Sequence, residues 1–347
     1  MKIDIYAFSS KGVALCDRLI DSIDLDTATA YAPERYIKNS KHVKLREHDL
    51  YKSTKTSFEN CDAIIFIGAI GIAVRAIAPY IKSKEHDPAV ICIDERGQNV
   101  IPILSGHIGG ANRLALKIAE IIGANPVITT ATDINDRFAV DEWATLRGIH
   151  IMSLEKAREI SASILEGEKI GFYSEFDIKG EVPNEFSTNA ERIGICLSLD
   201  ESKKPFEITL NLIPKILSVG VGCRRYTDFA KIYDAIKEVL TKNKLSCFGI
   251  KSINSIDLKK DEDGIIKTAE IFKVPFNTYS KEDLNKIEGQ FTESAFVKET
   301  VGVDTVSERA AVQDSNSKNL IIKKTIVNSV TVAVAIDEYE IDFGNLL

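Results

Sequence analysis

No stretch of this 347-residue sequence reaches the ~18 consecutive apolar residues that a membrane span requires, and the longest apolar runs are broken by charge or glycine. A spanning helix is therefore not expected. Nor is a secretory signal expected: Asp4 interrupts the opening run Met-Lys-Ile-Asp-Ile-Tyr-Ala-Phe, which reads as a first strand and not as a signal peptide, and a cytoplasmic protein is expected. An excess of positive charge is also lacking. With 44 Lys and Arg against 51 Asp and Glu, the net charge of −7 argues against a nucleic-acid partner. The six cysteines (Cys16, Cys61, Cys92, Cys196, Cys223, Cys247) form no Cys-x-x-Cys pair and have no histidine at zinc-finger spacing. Neither disulfides nor a structural zinc site is expected. Neither Gly-x-Gly-x-x-Gly nor a Walker-type Gly-Lys-Ser/Thr occurs, which weakens any nucleotide-binding reading.

What is present is the composition of an ordinary globular chain, long enough for two or three domains of ~100–200 residues each. The first 140 or so residues alternate β-rich runs with helical periodicity, the pattern of parallel strands joined by crossover helices. Strands are predicted at Lys2–Phe8, Ala63–Gly68, Ala89–Asp94, Val100–Leu104 and Pro126–Thr130. Helices are predicted at Lys11–Ile23, Gly71–Ile81 and Gly109–Ile122. After Trp143 the texture changes, with one helix (Ser153–Leu165) and one short strand (Ile170–Ser174) among polar connections. From Lys215 the alternation resumes with strands Ile216–Gly220 and Ile250–Ile256 and helices Asp228–Leu240, Gly264–Phe272 and Ser280–Ile287. Two last β-rich runs, Asn319–Ile326 and Val330–Ile336, suit an antiparallel edge pair. The expected fold class is α/β, with mainly parallel α/β domains at 1–146 and 214–347 flanking a small middle domain at 147–213.

The densest signal is Leu-Ser-Gly-His-Ile-Gly-Gly-Ala-Asn, Leu104 to Asn112, between a strand and an amphipathic helix. Such a turn can present backbone N–H groups and a helix dipole to a phosphate or carboxylate, with Ser105, His107 and Asn112 adding side-chain contacts. Alternatively, Gly109 and Gly110 only permit a tight turn and His107 is an ordinary loop residue. If all strands are parallel, two more turns reach the same sheet edge: Gly68 to Arg75, opening a helix at Gly71, and Thr129 to Asp133, with Thr130, Thr132 and Asp133. Capping by Thr132 or Asp133 and a solvated Arg75 are the plainer readings of each turn taken alone. Three turns on one crevice would favour binding.

Further along, Val-Gly-Cys-Arg-Arg-Tyr-Thr-Asp (Val221–Asp228) precedes a helix. Paired Arg224 and Arg225 oppose the dipole there unless an anion offsets them. Cys223 is either a nucleophile activated by the arginines or a buried structural residue. The acidic loop from Ser255 to Gly264 does not fit EF-hand spacing, and Glu308 either serves as an acid or base or complements a helix start.

Together these strings resemble the CbiG family of cobalamin-biosynthesis proteins. The N-terminal part of the resemblance runs through Gly71-Ile-Ala-Val-Arg75, Asp87-Pro-Ala-Val, Asp94-Glu-Arg-Gly, Leu104 to Asn112 and Val-Ile-Thr-Thr-Ala-Thr-Asp133. The C-terminal part is carried by Val-Gly-Val-Gly222-Cys223-Arg224-Arg225, the Ser255–Gly264 loop and the Gly302 to Ala311 segment. Tyr226 departs from the family's Gly after the arginines, and Arg309 stands where a small residue or proline is common.

The resemblance implies a hydrolase of the anaerobic, early-cobalt branch of corrin synthesis. It would open a ring-A acetate δ-lactone on an anionic cobalt tetrapyrrole and release the methylated bridging carbon as acetaldehyde. The cobalt would belong to the substrate, with no cofactor or metal held tightly by the protein and only transient contacts with other pathway enzymes. As implied roles, His107 is the acid/base candidate, Asp133 a second base, and Arg75 with the Gly109–Asn112 amides stabilises negative charge. Gly71, Ser105, Gly109, Gly110, Asn112, Thr130, Thr132, Gly222, Cys223, Arg224, Arg225 and Glu308 would contact substrate, the arginines gripping peripheral carboxylates. The alternative is a non-catalytic corrinoid carrier or pathway scaffold.

Overall fold

The structure, a computed structural model, describes residues 1–22, 28–83, 86–187, 189, 192–293 and 302–344. The predicted end of the first helix, Ile23, lies outside the described residues. The chain forms two compact units, Met1–Glu142 and Trp143–Leu347. Among the described residues no helix is long and apolar enough to cross a membrane.

The strands of the first unit are β1 (Ile3–Ala7), β2 (Ala28–Ala32), β3 (Val43–Leu45), β4 (Ala63–Ile67), β5 (Ala89–Ile93), β6 (Asn99–Leu104) and β7 (Asn125–Pro126). Its helices are α1 (Ser10–Ser22), α2 (Glu34–Ile37), α3 (Leu50–Asn60), α4 (Ile70–Ile77), α5 (Ala111–Ile122) and α6 (Ala131–Ile134), and α7 (Val140–Leu146) carries the chain onward. One sheet results, in the order β3-β2-β1-β4-β5-β6-β7. The runs Ala-Ile-Ile-Phe-Ile of β4 and Ala-Val-Ile-Cys-Ile of β5 are buried at every residue, as central strands covered on both faces must be. One face packs on α1 and α5 through Cys16, Leu19, Leu114 and Ile118; the other packs on α4 through Ala73, Ala76 and Ile77. Each fully buried isoleucine in these strands contributes ~1.5–3 kcal/mol.

The sheet is mainly parallel, as expected, but the condition for three turns to meet at one edge, that all its strands run parallel, does not hold. β6 runs antiparallel to β5, pairing Val90 with Leu104 and Ile93 with Val100. A parallel partner needs a crossover of about a dozen residues, and residues 94–98 are too few. The Asp94 carboxylate closes this hairpin by accepting from the backbone N–H groups of Arg96, Gln98 and Asn99. β7 is parallel to β6, so the chain leaves both strands at one sheet edge. It leaves β4 and β5 at the opposite edge.

In the second unit, β8 (Ile149–Ile151), β9 (Ile170–Ser174), β11 (Phe186–Ser187), β12 (Ile193–Leu197) and β13 (Ile208–Pro214) make a five-stranded sheet beside α8 (Leu154–Leu165). Only β8 is antiparallel in it. The sequence pattern identified β9 and α8 there; β12, buried throughout, and β13 complete the layer. A short parallel pair joins β10 (Asp177–Lys179) to β19 (Glu340–Asp342).

The other five-stranded sheet has the order β16-β15-β14-β18-β17, from β14 (Leu217–Gly222), β15 (Ile250–Ile256), β16 (Phe276–Tyr279), β17 (Asn319–Val327) and β18 (Val330–Ile336). As expected, β17 and β18 form an antiparallel pair at one side. α9 (Phe229–Lys242) and α10 (Asp263–Phe272) cover the face carrying Leu217, Val219 and Val221. α11 (Lys281–Asn285) precedes α12 (Val306–Asp314), which lies on the opposite face. There Gly220 lets α12 approach, because an added Cβ would sit 1.8 Å from the Ser307 carbonyl oxygen.

Candidate active site

Beyond β6 the chain turns sharply at Ser105, whose φ is +59°. Gly109 is required for the turn to close, since a Cβ there would lie 2.4 Å from the Ser105 Cβ. Gly110, at φ +77°, then starts α5. The turn satisfies itself: Gly110 N–H donates to the His107 carbonyl at 2.9 Å, Ala111 N–H to the Ser105 carbonyl at 3.1 Å and Asn112 N–H to the Gly106 carbonyl at 3.1 Å. This corrects the expected anion role of the Gly109–Asn112 amides, because three of the four are committed within the loop. The Ser105 hydroxyl likewise donates to the Asp87 carbonyl at 3.0 Å.

What the turn presents is the His107 ring, and the segment after β7 meets it. His107 Nε2 lies 3.1 Å from an Asp133 oxygen and 3.0 Å from the Thr132 hydroxyl. Asn112, 2% exposed at the start of α5, donates from Nδ2 to Asp133 at 3.1 Å and to the Thr130 hydroxyl at 2.9 Å. On the other side of the ring, His107 Nδ1 lies 3.4 Å from the Asp141 carboxylate of α7. Glu142 completes the group: one oxygen each of Asp133 and Glu142 and a ring nitrogen of His107 lie within 4.8 Å of one another, a donor set able to hold a divalent cation.

Two of these carboxylates set the charge of the imidazole. Contact with Asp141 above all, aided by Asp133 and opposed by burial, pushes the His107 pKa up to about 9. The ring is an imidazolium at neutral pH, a proton donor more than a base. Burial pushes the Glu142 carboxyl upward, with His107 and Arg113 pulling against it.

Arg75 and Gly71 stand apart. They belong to α4, which follows β4 at the opposite edge of the sheet, where Arg75 is exposed and donates to the Gly71 carbonyl at 3.2 Å. The expected convergence of three turns is thus corrected to two, and the antiparallel β6 is the reason. Asp141 and Glu142 were not anticipated. Their only sequence signal is an acidic pair opening α7, which also fits plain dipole complementation.

The remaining nominated residues lie in the second unit. Gly222, Cys223, Arg224 and Arg225 line a cavity of about 680 Å³. Burial pushes the Cys223 thiol up, the opposite of an activated nucleophile. The arginines do not confront a bare helix end, because Asp228 caps α9 by accepting from the Ala230 N–H at 2.9 Å. Arg225 donates to the Leu258 carbonyl at 2.9 Å and faces Asp261 at 3.4 Å. Tyr226 holds φ +61°, which explains why the resembling family places glycine there. Glu308 is corrected: fully buried, its carboxylate accepts from Thr292 and from the Lys324 N–H at 2.7–2.8 Å and is absent from the cavity wall. The loop at 257–264 is a short turn leading into α10, without a cation-loop geometry.

Comparison with known proteins divides the chain into three regions. The family descriptions "Cobalamin synthesis G N-terminal", "Cobalamin biosynthesis central region" and "Cobalamin synthesis G C-terminus" match residues 52–133, 138–214 and 217–335. The cobalt-precorrin-5A hydrolase of Salmonella typhimurium (strain LT2) is 36% identical over 329 residues, covering 89% of this chain and 90% of its own. This chain belongs to the CbiG family. A second relative, the cobalt-precorrin-5A hydrolase of Priestia megaterium, is 35% identical over 302 residues, covering 82% of this chain and 80% of its own. Among solved structures, a cobalamin biosynthesis protein G homolog from Sulfolobus solfataricus matches at 25% identity and a TM-score of 0.42, covering 97% of each chain. The His107–Asp133 pair lies in the N-terminal CbiG region.

Proposed function

We propose that this member of the CbiG family is a cobalt-precorrin-5A hydrolase, with its proton chemistry at His107. The observation that carries the placement is an imidazole held between Asp133 and Asp141 and kept charged at neutral pH. Water adds to the lactone carbonyl, the C–O bond of the lactone breaks, and a carboxylate and an alcohol result. The alcohol then loses its O–H proton to a base and becomes a carbonyl as the C–C bond joining that carbon to the macrocycle breaks; the bonding pair stays on the electron-accepting macrocycle, and the carbon departs with its methyl group as acetaldehyde. His107, as imidazolium, donates to the oxygen on which negative charge develops. Glu142, whose carboxyl is raised by burial, takes the proton from the attacking water. Asp133 orients the ring, and Asn112 and Thr130 fix Asp133.

The cobalt is read as part of an anionic tetrapyrrole substrate, and no resident cofactor is assigned to the chain. The reaction is placed in the cytoplasm, with hand-over of the labile macrocycle to neighbouring pathway enzymes. The test is acetaldehyde release from anaerobically prepared cobalt-precorrin-5A. Wild-type protein is expected to release it well above the blank, and His107→Ala to lower the rate at least about a hundredfold. Normal turnover by His107→Ala would remove the assignment; tight binding without acetaldehyde would mark a carrier.

A further inference from the structure

The cavity of the second unit contains more than its arginines. Its wall includes Arg224, Arg225, Lys259 and Lys324, and among the described residues no acidic side chain lines it. Lys259 is paired with Glu262 at 3.3 Å and Arg225 with Asp261. Among the described residues, neither the Arg224 guanidinium nor the Lys324 ammonium has a carboxylate within 4 Å, although the Lys324 backbone N–H donates to the buried Glu308. The floor is the first turn of α12, a nine-residue helix whose N-cap Thr305 makes no side-chain cap bond. Its first N–H groups carry the positive end of the helix dipole.

Two hydroxyls in this wall are anomalous. Thr305 and Ser307 are each 1% exposed, yet among the described residues Thr305 Oγ1 and Ser307 Oγ have no hydrogen-bond partner. A buried hydroxyl without a partner is destabilising, and such groups in native proteins call for an explanation. Here the explanation is a ligand acceptor. Thr305, Ser307, two cations without a side-chain carboxylate partner and a helix start whose N-cap makes no side-chain bond share one cavity wall, and although Glu308 lies in that first turn its carboxylate is held by Thr292 and Lys324, so the group that fits the wall is an anion. The volume far exceeds an inorganic oxyanion, and Ile256, Leu258 and Val306 give the wall apolar stretches. The ligand is therefore an organic acid with an apolar body.

We propose that this cavity is a carboxylate-binding subsite for a tetrapyrrole, with one carboxylate seated on Thr305, Ser307 and the α12 N-terminus and others on Lys324 and Arg224. The assignment of the macrocycle rests on the hydrolase reading above, whereas the anion site itself rests on the cavity. Lys259 lies in the Ser255–Gly264 loop and Thr305 and Ser307 in the Gly302–Ala311 segment that carry the resemblance, but none of them was expected to contact substrate, and Lys324 lies outside every motif.

The test is calorimetric titration of the full chain with uroporphyrin III, a metal-free tetrapyrrole bearing a free carboxylate on every side chain, and separately with inorganic phosphate. Wild type should bind uroporphyrin, and Ser307→Ala and Lys324→Gln should each weaken binding about tenfold. Ser307→Ala should leave the melting temperature unchanged or raise it by a few degrees, because it removes an unpartnered group; this separates a lost contact from a lost fold. Affinity within twofold of wild type in both variants would overturn the proposal, as would binding of phosphate alone. If uroporphyrin binding is lost in the variants while the wild type releases no acetaldehyde from cobalt-precorrin-5A, the subsite stands and the hydrolase reading falls.

Discussion

At the scale of single residues, His107 makes the sharpest demand. An imidazole in the unfolded chain titrates near 6.5, and in the fold Asp141 and Asp133 hold it to about 9. Because the folded value is the higher, the associated stabilisation, on the order of 3 kcal/mol, is fully present below pH ~6.5 and is lost as pH rises through about 9. Urea midpoints should fall across that interval, and His107→Gln should flatten the dependence. The alkaline limb of kcat should lie near the same pH, as loss of the imidazolium removes the donor. A ring resonance titrating near 6.5 in the folded protein would contradict both expectations. Arg309 makes a second demand. Its guanidinium grips Asp304 at 2.6 and 3.0 Å and donates to the Leu284 and Ile287 carbonyls, so the departure from the family pattern is absorbed by a local acid. Arg309→Ala should cost about 3 kcal/mol in chemical denaturation, since it strands a largely buried carboxylate. Of these residues, His107, Asn112 and Asp133 were legible because each sits in a dense strand-to-helix string. Asp141 and Glu142 were not, since two acids in a first helical turn are ordinary dipole partners.

At the scale of elements, the period of the apolar pattern identified most strands and helices around both sites, because β4, β5, β14 and β15 are near-continuous buried runs. Strand direction was the weaker inference. The shortness of residues 94–98 already implied a hairpin, and giving that spacing priority over the α/β rhythm would have put Arg75 on the far edge. Helix placement in the second unit depends on an equally small feature. Gly220 allows the α12 backbone to rest on β14, and the same contact sets the first turn of α12 in the cavity wall. Gly220→Ala should therefore destabilise by ~2–3 kcal/mol through overpacking and weaken anion binding along with it. The checks are a denaturant titration and the uroporphyrin titration; a variant with wild-type stability would show that α12 can shift without cost.

At the scale of the molecule, a net charge of −7 conceals two fields of opposite sign. The first unit gathers Asp133, Asp141 and Glu142 around one histidine, whereas the cavity of the second is walled by cations. The acidic cluster then poses a choice, because its donor set can hold either a proton or a divalent ion. If its role is proton transfer, protein treated with EDTA and gel-filtered should keep its rate of acetaldehyde release. Added zinc should inhibit, and the half-inhibiting concentration should fall as pH rises from ~6.5 towards 9, because zinc must displace the proton on His107. Loss of activity on chelation with recovery on adding back one metal would reverse the assignment, turning His107 from a proton donor into a ligand and moving water activation onto the ion.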